Sequence, residues 1–234
     1  MNKRTTINFF INNPITKLIK NILYDLNMDT IILASGSPRR IEYLKLLGLP
    51  FISIPPNIDE SIEIGAEPEA AVKDLANCKA EKIAMDLRTG KVTAEPNKPI
   101  WIIAADTIIS LNGKIYGKAG TREEAASMLK SFSGKIHEVI TAIALNKLDN
   151  NYNTETFDCR TVRSKVSFDS IKEAEIEFYL NSGEWEDAAG AYKIQGLASC
   201  FINHIEGSYS SIVGLPLREF YVMLRDNKYP FRVS

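Results

Sequence analysis

Two kinds of residue in this chain suit a single reaction centre: cations placed for phosphate, and carboxylates placed for a metal ion or a proton. The cations begin in Ser35-Gly36-Ser37-Pro38-Arg39-Arg40, which reads as a strand-to-helix turn. Backbone N–H groups and the positive end of the helix dipole favour an anion at such a turn. Ser35 and Ser37 add hydroxyl donors, with Ser37 expected as the N-cap. Two arginines in a first helical turn oppose the dipole, and a bound phosphate would offset that, since the guanidinium fork fits phosphate oxygens. The plainer alternative is a pair of surface arginines in loose ion pairs, each contributing about 0–1 kcal/mol. Lys79 is odder. It falls inside the apolar stripe Val72, Leu75, Ala76, Ile83 and Leu87 of a helix expected over 68–87. Ammonium groups are rarely buried without a partner. Either its stem snorkels to the surface, or its head meets an anion in a cleft; spacing alone leaves both open. Lys118, Lys135 and His137, taken singly, read as surface residues.

The carboxylates are Asp59-Glu60, just past Pro55-Pro56, and Asp106, which closes the apolar run Ile100 to Ala105. The end of a buried strand is where open α/β sheets gather their chemistry. Acids beside a phosphate pocket repel the ligand unless a divalent cation lies between them. A carboxylate can also take a proton from an attacking water. For Asp59-Glu60 the ordinary alternative is a solvated acidic turn. Gln195 has an amide with donor and acceptor faces that suits a base edge, although one glutamine proves nothing.

The elements that must hold these residues follow from hydrophobic periodicity and turn chemistry. A strand over 31–34, a Ser/Gly turn, a helix opened by Pro38 and closed by Gly48, and a strand over 51–54 form a βαβ-like unit. A buried strand starts at Ile100 and continues through Leu111 to the hairpin signal Asn112-Gly113. Capping boxes are expected at Thr121–Glu124 and Ser170–Glu173, each opening a helix. Strands are expected over 136–146, 155–168 and 198–202, with a last helix opened by Pro216. The order implies an α/β fold, a single domain over 30–234 with a mixed twisted sheet. Residues 1–29 stand apart as an N-terminal extension, expected to be a helix over about 13–26 packed on the domain, the alternative being a targeting segment.

Composition narrows the function classes. Of 234 residues 45% are hydrophobic and 24% charged, which excludes wholesale disorder. The 28 basic and 29 acidic residues leave a formal charge of -1. A protein that wraps nucleic acid shows a basic excess, so any polyanion here must be met by a local cluster of cations. No apolar run reaches membrane-spanning length. Three cysteines without a C-x-x-C pair argue against a disulfide framework and for a reducing compartment, the cytoplasm. Cys78 and Cys200 are expected to be buried as small hydrophobes.

Several blocks together resemble the Maf proteins, a family of nucleoside triphosphate pyrophosphatases, over about Ile31 to Leu224. They are Leu33-Ala-Ser-Gly-Ser-Pro-Arg-Arg40, Asp59-Glu60, Ala76 to Ala80, Ala105-Asp-Thr107, Gly117-Lys118, Ser133-Gly-Lys-Ile-His137 with Thr141, Ala189-Gly-Ala-Tyr192 with Ile194-Gln-Gly196, and Val213-Gly-Leu-Pro-Leu217. The resemblance implies an α/β fold with a deep cleft, similar to inosine triphosphate pyrophosphatases, and hydrolysis of a nucleoside triphosphate to the monophosphate and pyrophosphate. It implies a divalent cation, magnesium or manganese, and a homodimer. Asp106 resembles the general base and Glu60 the catalytic or metal-binding acid, the two together holding the metal. Arg39, Arg40, Lys79 and Lys118 resemble the phosphate-binding cations, with Ser35 in the same signature. Arg39, Thr107 and Gln195 look like the branch acting on dTTP and UTP; the alternatives are a modified or purine nucleotide such as 7-methyl-GTP, or a cell-division regulator that binds a nucleotide without turning it over. Two departures fall in one loop. Ala188 stands where the family usually has Lys, and Lys193 is the expected substitute.

Overall fold

The computed structural model describes residues 29–63, 65–94 and 98–231. The expected helix over 13–26 lies outside them. The described chain runs β1 (Thr30–Leu33), α1 (Pro38–Leu46), β2 (Phe51–Ser53), α2 (Pro68–Arg88), β3 (Ile100–Leu111), β4 (Lys114–Tyr116), α3 (Arg122–Phe132), β5 (Ile136–Leu148), β6 (Thr154–Phe168), α4 (Glu173–Asn181), a 3₁₀ turn (Leu197–Phe201), β7 (Ile202–Glu206), α5 (Tyr209–Val213) and α6 (Leu217–Asp226).

One mixed sheet carries all seven strands, in the order β2-β1-β3-β5-β6-β7, with β4 also on β3. β1 is parallel to β2 and β3, whereas β3, β5, β6 and β7 are antiparallel in sequence. The βαβ start and the later hairpins thus merge in one α/β layer, as expected from the element order. Asn112 and Gly113 both take positive φ, which the tight β3–β4 hairpin requires.

β3 is the strand that places the site. Its alternate residues Ile100, Ile102, Ala104 and Ile108 pack against the α2 stripe of Val72, Ala76, Ala80, Ile83 and Leu87. The other parity, Trp101, Ile103 and Ala105, packs against Leu44 of α1 and Phe220, Met223 and Leu224 of α6. A third cluster, built on Leu129, Phe132, Phe168, Tyr179 and Tyr192, fills the space between α3, α4 and the far end of the sheet. Helices on both faces explain why β3 is apolar on both sides.

The structure corrects several expectations. Helix α4 begins at Glu173, not at Ser170; the Glu175 carboxylate accepts from the Lys172 N–H at 2.7 Å, so the cap sits two residues later. In the first expected box, Thr121 accepts from the Glu124 N–H, but the Glu124 carboxylate reaches back to the Gly120 N–H. The expected strand over 198–202 is a 3₁₀ turn, and pairing starts at Ile202. Helix α5 has no counterpart among the elements expected from the sequence. Cys78 and Cys200 are exposed. In α2, Cys78 lies on the side opposite the stripe.

Candidate active site

β1 leaves the sheet at Leu33, its last residue paired with β3, opposite Ile103. β4 rejoins β3 only at Ile109. Between those two pairings β3 has no strand partner on that edge, while its other edge stays paired with β5. Asp106 and Thr107 sit in this gap. Asp106 is therefore in the middle of a long strand, not at its end; the neighbouring strand is what ends there. The gap is the floor of a cleft of about 590 Å³, within the usual range for a small-molecule site.

Asp106 has the same strand parity as Ile102, Ala104 and Ile108, so it faces α2, and there it meets Lys79. This answers the question that spacing left open. Lys79 is 5% exposed. Its ammonium bonds Asp106 and also Glu60, at 2.7 Å, from the loop after β2. Burial would raise the Glu60 carboxyl, but the hydrogen bond and charge of Lys79, with Lys118 and Arg40 beyond, hold it below the usual carboxylate range. Asp59 takes no part. It is exposed and caps its own turn, accepting from the Ser61 N–H at 2.9 Å.

The opposite wall is the β1–α1 turn. Ser37 occupies the N-cap but makes no side-chain cap. Instead its N–H donates to Ser35 Oγ at 3.1 Å, and Arg40 Nη1 donates to the same oxygen at 3.4 Å. Ser35 is thereby fixed as an acceptor by its neighbours, with its own proton left over for a ligand. Arg40 is anchored further by Nε donating to the Gly214 carbonyl at 2.8 Å and Nη2 donating to Thr107 Oγ1 at 3.4 Å. Burial lowers the Arg40 pKa, and the facing Asp106 and Glu60 carboxylates counteract it.

Lys118 and the 184–196 loop form the third wall. The Gly190 N–H donates to the Gly117 carbonyl at 2.8 Å, and Lys118 and Ala189 form a β-bridge. Gly190 has φ +65°, and a Cβ there would stand 2.4 Å from Ile109 Cδ1. Glycine suits this position on both counts, left-handed backbone and close approach. Lys118 Nζ lies 3.8 Å from Asp187, whose carbonyl also accepts from Arg39 at 3.5 Å. Ala188, Lys193 and Gln195 line the same cleft. Tyr192, itself in this loop, shares a hydrogen bond of 2.8 Å with His137. His137 is buried, not a surface residue as expected, and burial lowers its pKa to about 4.

All the residues expected at the site, Ser35, Arg39, Arg40, Glu60, Lys79, Asp106, Thr107, Lys118 and Gln195, line this one cleft. Five cations and three carboxylates face it, so a chain with no overall positive charge builds a local cationic surface. The sequence reading missed Asp187, in an irregular loop without periodicity; it placed Gly214 in a block of the resemblance but gave its carbonyl no role. The two acids are hard oxygen donors, and among the described residues no third His, Cys, Asp or Glu joins them. Such a pair fits magnesium, which is held by one or two carboxylates and takes its remaining oxygens from phosphates and water.

Comparison with known proteins finds relatives over most of the chain. The family described as Maf-like protein matches residues 30–227. The dTTP/UTP pyrophosphatase of Chromobacterium violaceum is 41% identical over 200 residues, covering 86% of this chain and 96% of that protein. The dTTP/UTP pyrophosphatase of Bacillus cereus is 42% identical over 191 residues, covering 82% of this chain and 86% of that one. Among solved structures, the Staphylococcus aureus Ham1 protein has a TM-score of 0.41 at 15% identity, over 85% of this chain and 99% of that chain. With the family match spanning the whole sheet and every wall of the cleft, the chain belongs to the Maf family.

Proposed function

We propose that this chain is a nucleoside triphosphate pyrophosphatase that hydrolyses dTTP and UTP to the monophosphate and pyrophosphate. The observation that carries the reading is the facing of Glu60, Lys79 and Asp106 across one cleft from Ser35, Arg40 and Lys118. Two carboxylates beside the phosphates can both hold a dication and take a proton from water, and the second of these serves hydrolysis alone. Their presence favours turnover over a regulator that merely holds a nucleotide. The names of the relatives support the choice of dTTP and UTP.

The reaction is attack of water on the α-phosphorus. The new P–O bond forms as the bond to the bridging oxygen breaks, and pyrophosphate leaves with the electron pair. Asp106, held in place on β3, accepts the proton of the attacking water. Arg39, Arg40, Lys79 and Lys118 bind the phosphates and neutralise charge that grows on the leaving group. Glu60 and Asp106 are the residues that would hold magnesium or manganese. That ion supplies charge neutralisation and polarises phosphate oxygens when bound. Gln195 meets the pyrimidine edge with its amide.

The remaining expectations are a homodimer, from the family resemblance; the cytoplasm, from the cysteine usage; and no nucleic acid or membrane as partner, from the charge balance and the lack of a long apolar run. Among the described residues no helix is long and apolar enough to cross a membrane.

A panel of nucleoside triphosphates with magnesium, scored by pyrophosphate release, tests the function. dTTP and UTP are expected to be turned over fastest. Preference for 7-methyl-GTP or another purine would overturn the base assignment. Binding without turnover in magnesium and manganese alike would overturn the enzymatic reading.

A further inference from the structure

Lys79 has a feature that phosphate binding does not require. Glu60 and Asp106 come from separate segments, a loop and a strand, and the ammonium of Lys79 is what joins them. The lysine is buried within the α2 stripe, so its head cannot withdraw to solvent. Both acids are already neutralised in part by a cation that occupies the space between them. A dication entering the same pair must displace that ammonium or lie against it, and either is unfavourable.

A triphosphate removes the obstacle. It offers the ammonium other anionic oxygens within the same cleft, reached by rotation of the terminal bonds with the stem still buried. Glu60, with its side chain about half exposed (49%), is free to follow a new partner, while Asp106 is fixed by β3. We propose that Lys79 is a resident counter-ion that keeps Glu60 and Asp106 from taking a divalent cation until a triphosphate arrives, so that metal and nucleotide bind as a coupled pair. The inference rests on the reading of Glu60 and Asp106 as the metal-holding acids.

The test measures Mn²⁺ binding to nucleotide-free protein, by electron paramagnetic resonance of the free ion, for wild type, Lys79→Met and Lys79→Gln. The variants are expected to bind Mn²⁺ about 5–150-fold more tightly than wild type, the usual span of coupling between two ligands. Equal affinity, or tighter binding by wild type, overturns the proposal. Adding the non-hydrolysable α,β-imido analogue of dTTP to wild type is expected to raise Mn²⁺ affinity. Absence of Mn²⁺ binding in every protein, with or without the analogue, would instead remove the metal-holding role of the two acids and the inference with it. A measurement on wild type guards against variants that fail to fold. In protein labelled with ¹⁵N-lysine, millimolar Mg²⁺ alone is expected to leave the Lys79 ammonium signal in place, and Mg²⁺ with the analogue to move it. Movement with Mg²⁺ alone overturns the counter-ion role.

Discussion

Thr107 and Thr141 stand opposite each other on β3 and β5 with their hydroxyl oxygens 3.0 Å apart, and the polarity of their hydrogen bond is determined by its surroundings. Thr141 donates its proton to the Ser211 carbonyl at 2.7 Å. It must then accept from Thr107, which leaves the Thr107 oxygen to accept from Arg40 at 3.4 Å. A four-member relay thus runs from the guanidinium through two strands to the backbone of α5. Thr107 acts on the ligand through Arg40. The Thr107→Val variant keeps the shape and removes the acceptor. Its KM for dTTP is expected to rise about 3–10-fold, the factor that a hydrogen bond of about 1 kcal/mol represents, with kcat nearly unchanged. Steady-state kinetics check this.

Asp106→Asn keeps a carbonyl oxygen for Lys79 and removes the proton acceptor. The expected fall in kcat is roughly 10²–10⁴, with the melting temperature close to wild type because Lys79 stays paired with Glu60. Wild-type turnover in this variant would refute the role given to Asp106.

Lys193 lines the cleft in the same loop as Ala188, the position at which the resemblance implies a lysine. If it supplies the missing charge, Lys193→Ala raises KM for the triphosphate by about 3–10-fold, the value of one partly exposed charge-assisted hydrogen bond. Unchanged KM and kcat would reject the substitution.

His137 makes stability depend on pH. Its pKa in the folded chain is lowered by burial from 6.5 to about 4. The unfolded chain binds a proton in that window and the native one does not, so stability is complete above pH 6.5 and is lost as pH falls toward 4. The loss amounts to roughly 2–4 kcal/mol. Urea unfolding between these pH values is expected to show a slope that His137→Gln flattens.

The long periodic elements were legible before any coordinates. β3 and α2 are nearly uniform in their pattern, and the hairpin turn Asn112-Gly113 is one of the few dipeptides that favour its positive φ values. The cationic turn at 35–40 was legible for the same local reasons. What spacing could not decide was Lys79, because the answer lay in the parity of a strand distant in sequence: Asp106 points the same way as Ile102, Ala104 and Ile108, toward the lysine. The tail of the fold was harder. Segments 197–201 and 209–213 are too short to show a period, and α5 is held by serine hydroxyls, Ser208 Oγ accepting from the Ser211 N–H and Ser164 Oγ lying 3.0 Å from Ser211 Oγ. Serine-rich runs of that kind read as loop. Asp187 gave no signal at all, since its place opposite Lys118 depends on the path of an irregular loop.

The bond from Gly190 to Gly117 and the bridge from Lys118 to Ala189 make one jaw of two stretches far apart in sequence. Gln195 and Lys118 ride on that jaw together. The two stretches therefore cannot shift separately without breaking that bond and bridge. Under the proposed function, a substitution that moves this loop to fit another base would also move Lys118.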